Sequence, residues 1–317
     1  MQFAVNALRR KIPTLVNGKQ KRPFQQAFDP AYSDRWAGRP GNARQHRGGD
    51  KTATLDEVID ILEDGDTISY PHYYRLGDTC LEIIVQKLRE SGRRDIKILG
   101  NAFFDNCTPW LPEALREGTI GGIIGNCYRG MGKHLTGGEF LPWIVTGTGH
   151  GNRVRKFHTG EERVRIAFGP VPVADRWGNA NGISGPPEHW VGPLGLFEAD
   201  SRWAEHTCLL AGEIQKSLLL PRSISMTDVD FVVPVENPGE ASGVGSGTLD
   251  LEKIRSNSYN AKIAGQVIGV MEAAGVIQSG FSFQVGSGAG LIVLDELKRI
   301  LSERDISAGF AIGGCTS

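Results

Sequence analysis

The chain has 317 residues, 40% of them hydrophobic, and a formal net charge of −1. That length suits about two domains, and the charge gives no overall field for nucleic acid. No run approaches the ~18 apolar residues a membrane span needs, so a soluble, cytoplasmic protein is expected, with neither membrane nor nucleic acid as partner. Five cysteines, at positions 80, 107, 127, 208 and 315, show no C-x-x-C spacing, which suits a reducing compartment better than a disulfide framework.

Charge is uneven along the chain. Residues 1–51 hold 11 Lys/Arg and 3 Asp/Glu, so they carry +8 against −9 for the remainder. With little periodicity, 1–51 reads as a basic, extended arm lying on its own acidic body or on a neighbouring subunit. Its first 16 residues are Arg-containing and acid-free, which also raises a transit peptide. Folding begins beyond it: Thr54 and Glu57 have capping-box spacing, and Val58, Ile59, Ile61 and Leu62 supply apolar faces before Asp64-Gly65 stops the helix. A strand follows at 67–70, then an aromatic and cationic loop at 71–77. Asp78 is a good N-cap for a helix whose buried stripe is Leu81, Ile84, Val85 and Leu88, and 96–99 is the next strand. Strand, loop, helix and strand make a right-handed crossover unit. Its loop stands at the carboxyl end of the first strand, where open α/β sheets bind ligands. His72, Arg75, Gly77 and Asp78 therefore sit where chemistry is expected, although a histidine hydrogen-bonded within its loop fits that position as well.

Further strands are expected at 120–124, 164–168, 207–210 and 229–233, short apolar runs suited to a buried parallel sheet. Between them, loops 126–132, 146–153 and 175–185 are dense in Gly, Asn and polar residues and would frame one site. Residues 237–248 have linker composition, separating a first domain at 52–236 from the start of a second at 249–317. There Ile263, Val267, Val270, Met271 and Ala274 repeat at helical spacing and read as core. Residues 279–290 then give strand, glycine turn and helix. Phe281, Phe283 and Val285 alternate, and Gly286, Gly288 and Gly290 follow. Such a turn can offer backbone amides to a phosphate or a developing oxyanion, and it is equally the form of an ordinary tight turn. Its spacing is not G-x-G-x-x-G, which counts against a dinucleotide oxidoreductase. A last strand is expected at 309–313. One strand–helix–strand unit is too little to bury a sheet alone, so something should complete it. No Ser/His/Asp set or metal-ligand spacing is present, so neither a covalent hydrolase nor a metal site is expected.

Val5-Asn6-Ala7, Arg10-Lys11-Ile12-Pro13, Pro23-Phe24, the set His72, Arg75, Gly77 and Asp78, Arg129-Gly130, His150-Gly151, Arg153, Asp175, and Gly178-Asn179-Ala180-Asn181-Gly182 carry a resemblance. So do Gly280-Phe281-Ser282 with Gln284, Gly286 and Gly288, then Arg304-Asp305-Ile306 and Gly313-Gly314. From end to end the chain resembles the citrate lyase alpha subunit, of the citrate CoA-transferase family. The resemblance implies a CoA-transferase-like α/β fold: an open, mostly parallel sheet with helices on both faces, one complete domain and the start of a second. It implies exchange of acetyl for citryl on an acyl-carrier or CoA thioester, releasing acetate, within an ATP-independent citrate lyase complex whose beta subunit then forms oxaloacetate. Partners would be that beta subunit, the acyl carrier (gamma) subunit, citrate and the second half of the alpha subunit. No cofactor is expected to be bound covalently to this chain; CoA, or a thioester derived from dephospho-CoA, is the co-substrate.

Acyl exchange between a carboxylate and a thioester develops negative oxygen, which backbone amides and cations stabilise. His72, Arg75, Gly286 and Gly288 are assigned to catalysis. Gly77, Asp78, Arg129, Gly130, His150, Asn179, Asn181 and Gln284 are assigned to the thioester, and Arg153 is read as a further carboxylate-binding cation. The 279–290 turn is expected to form one wall of a site between two domains, facing the loop at 72–78. There are departures from the family pattern: the stretch at 71–74 has fewer histidines, Ala289 replaces a glycine, and relatives continue well beyond Gly313-Gly314. The alternative is a truncated, non-catalytic CoA-binding or assembly subunit that needs a separate second half.

Overall fold

Two short antiparallel pairs occupy the basic arm: β1 (Phe3–Val5) with β2 (Lys11–Pro13), and β3 (Leu15–Val16) with β4 (Lys19–Gln20). In the sequence, Asn-Gly between two short runs is the strongest two-residue hairpin signal, and reading the arm as extended overlooks that dipeptide at positions 17 and 18. The computed structural model describes residues 3–5, 11–13, 15–16, 19–20, 49–71, 74, 79–105, 107–137, 144–146, 149–159, 161–192, 194–243, 251–284 and 290–311. The arm ends by joining the folded body. The Lys51 amide donates to the Arg176 carbonyl at 2.8 Å, the Lys51 carbonyl accepts from Val232 at 2.9 Å, and Thr52 bridges Val232 in parallel.

The Thr54 hydroxyl accepts from the Glu57 amide while the Glu57 carboxylate accepts from the Thr54 amide, and this reciprocal cap starts the helix Leu55–Ile59. The main sheet then builds from β5 (Thr67–Tyr70), β6 (Ile96–Phe104), β7 (Ile120–Tyr128), β8 (Ile144–Thr146), β9 (Ile166–Asp175), β10 (Ala180–Asn181), β11 (His206–Gln215) and β12 (Phe231–Pro234). Its order is β12-β11-β9-β5-β6-β7-β8, every neighbouring pair parallel, and the two-residue β10 lies antiparallel on β9.

Every strand expected from the apolar runs is present in this sheet, and β6, β7, β9 and β11 run several residues longer than expected. In β9 the sequence reading stops before Gly169-Pro170-Val171-Pro172, because proline cannot donate to a ladder. The prolines are tolerated because β9 pairs with β5 only at Ile166 and Ala167; beyond that point β5 has no ladder with it to lose.

Helices cover both faces. On one, Leu81, Ile84, Val85 and Leu88 of the helix Cys80–Glu90 pack with Val58, Ile59, Ile68, Ile98, Ile123, Phe168 and Leu210 in one buried cluster. Phe168 points into that cluster, so Gly169 faces the other way. There it receives the Phe197 ring from the helix Phe197–Trp203, so closely that a Cβ on Gly169 would stand 2.3 Å from the ring. Gly169→Val should therefore cost about 1–3 kcal/mol through overpacking, read as a lower denaturant midpoint with an unchanged slope; an unchanged midpoint would mean that Phe197 moves aside freely.

The main division of the chain into two compact units falls between Gly239 and Glu240. The second unit holds helices Leu251–Ser256, Ser258–Ala273 and Gly290–Glu303, with β13 (Ser282–Phe283) parallel to β14 (Phe310–Ala311) across the last helix. Its core is Ala264, Ile268, Ile292, Val293, Leu297 and Ile300. The expected core stripe is corrected by this packing: Ala264 and Ile268 are buried, whereas Val267 is 38% and Val270 69% exposed. The apolar residues of helix Ser258–Ala273 cover a wide arc between Lys262, Gln266 and Glu272, so periodicity alone does not select its buried face.

Candidate functional site

All seven parallel strands put their carboxyl ends on one edge of the sheet, and strand order reverses there between β5 and β9. The chain proceeds outward from β5 through β6, β7 and β8. It then returns to β9, on the other flank of β5, and continues outward through β11 and β12. Such a switch point sends successive crossovers apart and opens a crevice. Strand lengths deepen it. Tyr70, the last residue of β5, is level with Gly100, whereas β6 continues to Phe104 and β9 to Asp175. At the usual rise per residue, β6 outruns β5 by about 13 Å and β9 by about 23 Å.

Beneath that crevice lie two buried polar atoms with no hydrogen-bond partner among the described residues: Ser69 Oγ and Asn101 Oδ1. Ser69 is the penultimate residue of β5 and wholly buried. Asn101 lies just past the level of Tyr70, where the β6–β7 ladder shifts register between Leu99 and Ala102. Glycines make the shift possible: a Cβ on Gly100 would meet the Phe103 ring at 2.6 Å, and one on Gly125 the Gly100 carbonyl at 2.8 Å. Bulges of this kind re-aim side chains beside functional sites. Sequence reasoning missed both residues, since a Ser or Asn inside an apolar run reads as a break in a hydrophobic pattern.

His72, Arg75, Gly77 and Asp78 belong to the segment that leaves β5, and they lie outside the described residues, as do Gly286 and Gly288. Arg129 and Gly130 open the helix Arg129–Thr136 directly after β7, and His150 opens the helix His150–His158 after β8. Gly130 has a specific neighbour: a Cβ there would meet Asp105 Oδ2 at 2.3 Å, so an exposed carboxylate from the end of β6 rests on the first turn of the helix that follows β7. Gln284 follows β13 in the second unit and is exposed. The ends of β9 and β8 are four strands apart, about 19 Å at ordinary strand spacing. Asn179 and His150 thus follow strand ends that are well separated along one edge of the sheet.

Asn179 and Asn181 are engaged within their own loop. The buried Asp175 carboxylate accepts from the amides of Trp177 (3.0 Å), Asn179 (2.9 Å) and Leu219 (3.0 Å) and from the Asn179 side chain (2.7 Å). Asn179 Oδ1 accepts from the Met226 amide at 3.0 Å, while Asn181 accepts from the Ile183 amide at 3.0 Å and donates to the Pro221 carbonyl. This polar block staples the end of β9 to the segment that follows β11.

Arg153 is corrected more sharply. Expected as a cation for a substrate carboxylate, it is wholly buried and forks both guanidinium NH2 groups onto the Asp200 carboxylate, which is equally buried. The pair ties the helix His150–His158 to the helix Phe197–Trp203, with Arg153 also over the Phe157 ring at 5.3 Å. Its charge is spent inside the first unit.

Cys127, near the end of β7, offers no thiolate at neutral pH: burial pushes its thiol from 9.0 up to about 11. Between those values the native state keeps a proton that the unfolded state has lost. The contribution of this group to stability therefore falls as pH rises from 9 to 11. Denaturant midpoints across that range should decline less in Cys127→Ala than in the parent chain; parallel decline would assign the loss to other groups.

A mostly parallel seven-strand sheet, covered on both faces and opened at its switch point, defines a CoA-transferase-like α/β protein. An acyl-CoA transferase of Escherichia coli, solved as a thioester complex with CoA, shares this fold at a TM-score of 0.53, with 13% identity over 84% of this chain and 61% of its own. Residues 50–317 match the family model described as citrate lyase, alpha subunit (CitF), and the chain belongs to that family. Citrate lyase alpha chains of Klebsiella pneumoniae and Haemophilus influenzae are 34% and 32% identical over 80% and 83% of this chain. A Streptococcus mutans structure described as the alpha subunit of citrate lyase in complex with citrate overlaps 85% of the chain and 52% of its own, at a TM-score of 0.75 and 28% identity. This chain spans about half the length of the curated relatives it matches.

Proposed function

We propose that this chain supplies the crevice of a citrate CoA-transferase, acting in an assembly that also contains the half of the family's length this chain does not span. The observation that carries the reading is the family match over residues 50–317, and the crevice at the switch point supports it. Citrate attacks the carbonyl of an acetyl thioester through a carboxylate oxygen. The thiolate leaves and a mixed anhydride forms; the thiolate then adds to the citryl carbonyl of the anhydride, and acetate departs. Each addition places negative charge on a carbonyl oxygen, the charge that positioned amides and cations stabilise. In this reading His72 and Arg75 serve that charge and the citrate carboxylates, with backbone amides at Gly286 and Gly288. Gly77, Asp78, Arg129, Gly130, His150, Asn179, Asn181 and Gln284 border the path of the CoA or carrier thioester. The beta and acyl carrier subunits complete the lyase in the cytoplasm.

The reading is tested by mixing the 317-residue chain with a chain corresponding to the remaining half, acetyl thioester and citrate, and following thioesters by mass. Citryl thioester and acetate in equal amounts are expected. Failure of the folded assembly to use either CoA or carrier thioester would leave the second reading, a non-catalytic subunit that binds CoA or a partner.

A further inference from the structure

A buried polar atom that no protein group satisfies bears its full desolvation cost, and native folds keep few of them. Two neutral ones occur among the described residues, Ser69 Oγ and Asn101 Oδ1, and they differ in what can reach them. Ser69 is wholly buried between Ile68 and Tyr70, both members of the buried cluster under helix Cys80–Glu90, so a ligand meets its hydroxyl only if the fold opens. Asn101 is half-buried, and neither end of its side-chain amide forms a hydrogen bond among the described residues. The β5–β6 ladder ends at Tyr70 and Gly100. Asn101 is the next residue of β6, about 3 Å further on, one strand from the switch point. Along β7, Leu99 is level with Ile124 and Ala102 with Asn126, so Gly100 and Asn101 together stand opposite Gly125. Asn101 is therefore the extra residue of a bulge, a device that re-aims a side chain. Rotation about χ2, a soft torsion in asparagine, turns either the carbonyl or the NH2 group outward without moving the backbone.

The chemistry of the exchange selects what such an amide would meet. An acetyl thioester carries no hydrogen-bond donor at its reacting end, and the first N–H of the pantetheine arm lies two carbons behind the sulphur. Citrate carboxylates only accept. The one donor that citrate brings at neutral pH is the hydroxyl on its central carbon, which stands beside a carboxylate. A side-chain amide is matched to that pair, since its carbonyl oxygen accepts from the O–H while its NH2 group can donate to the carboxylate. Cations recognise carboxylates whatever carbon skeleton bears them; a neutral acceptor is what tells a hydroxy acid from its deoxy analogue.

We propose that Asn101 is a specificity-determining residue of the crevice, its side-chain carbonyl accepting the tertiary hydroxyl of citrate. A tricarboxylate without that hydroxyl leaves the oxygen unpaired and is rejected on that account. The proposal rests on the citrate reading above and adds which feature of the molecule this chain reads. It also accounts for a polar atom that the first unit holds without a partner: the partner arrives with the substrate.

The test compares the parent chain with Asn101→Ala, each assembled with a chain corresponding to the remaining half of the family's length. Both assemblies are titrated by calorimetry with citrate and with propane-1,2,3-tricarboxylate, which differs from citrate only in lacking the hydroxyl. The parent should bind citrate roughly tenfold more tightly than the analogue. Asn101→Ala should lose most of that preference through weaker citrate binding, with the analogue bound as before or better. Its denaturant midpoint should hold, because the deleted amide has no partner among the described residues. A parent that binds the two ligands alike, a preference that survives the substitution, or an equal loss for both ligands would each overturn the proposal; an equal loss with a fallen midpoint would assign Asn101 to the fold instead. The predicted preference in an assembly that exchanges no thioester would retain the hydroxyl assignment and remove the transferase reading, whereas a parent that binds no citrate would remove both. Thioester exchange in which Asn101→Ala lowers kcat/KM for citrate and not for the analogue would support both.

Discussion

Asp200→Ala is expected to destabilise the first unit by about 3–5 kcal/mol, because it strands the Arg153 guanidinium in a site sealed from water. Both side chains are wholly buried and joined by two hydrogen bonds, and Arg153 Nε already has no partner among the described residues. Among the described residues no other group accepts from the Arg153 guanidinium, so it must be hydrated by opening the contact between helices His150–His158 and Phe197–Trp203. Phe197 carries that second helix onto Gly169 of β9, so the damage reaches the sheet. Replacing both partners together, Arg153→Met with Asp200→Leu, should recover most of the loss, since an apolar pair of similar volume carries no desolvation cost. Denaturant unfolding of the single and double variants decides it. A single variant as stable as the parent would show that the pair is open to solvent.

The second large effect belongs to Asp175. Asp175→Ala removes the acceptor of four hydrogen bonds and leaves the amides of Asn179 and Leu219, both buried, unpaired. At ~1–3 kcal/mol for each unsatisfied buried donor, the loss is about 3–5 kcal/mol before local relaxation. Asp175→Asn should be almost as harmful despite its matching shape: one oxygen becomes an NH2 that faces the Asn179 side-chain amide and the Leu219 N–H, donor against donor. The loss is local. Hydrogen exchange should show the amides of Trp177, Asn179 and Leu219 losing protection while those of β5 and β6 keep theirs. Retained protection at Leu219 would contradict the staple.

Much of the architecture was legible because it depends on local rules. Thr54 with Glu57 spells a capping box; Leu81, Ile84, Val85 and Leu88 spell one buried face; apolar runs mark β5, β6, β7, β9, β11 and β12, but not the short β8 and β10. The site was less legible, because its features arise only when distant segments meet. Nothing in the local sequence says that Arg153 will find Asp200, 47 residues on, or that Asn179 Oδ1 will accept from the Met226 amide. Ser69 and Asn101 look like interruptions until strand order shows that they lie beneath the switch point. Pro170 and Pro172 look like the end of a strand until β5 is seen to stop beside them. The face of the helix Ser258–Ala273 was misread because its apolar residues cover a wide arc and carry little phase.

The central claim is that this chain's crevice serves direct carboxylate exchange rather than hydrolysis, and oxygen bookkeeping tests it. Citrate labelled with 18O in its carboxylates is given to the complete assembly with unlabelled acetyl thioester, and the acetate of the first turnover is weighed. Attack by citrate leaves one carboxylate oxygen on the acetyl carbon, so acetate carrying a single 18O is predicted. Unlabelled acetate, with its new oxygen taken from water, would contradict the account.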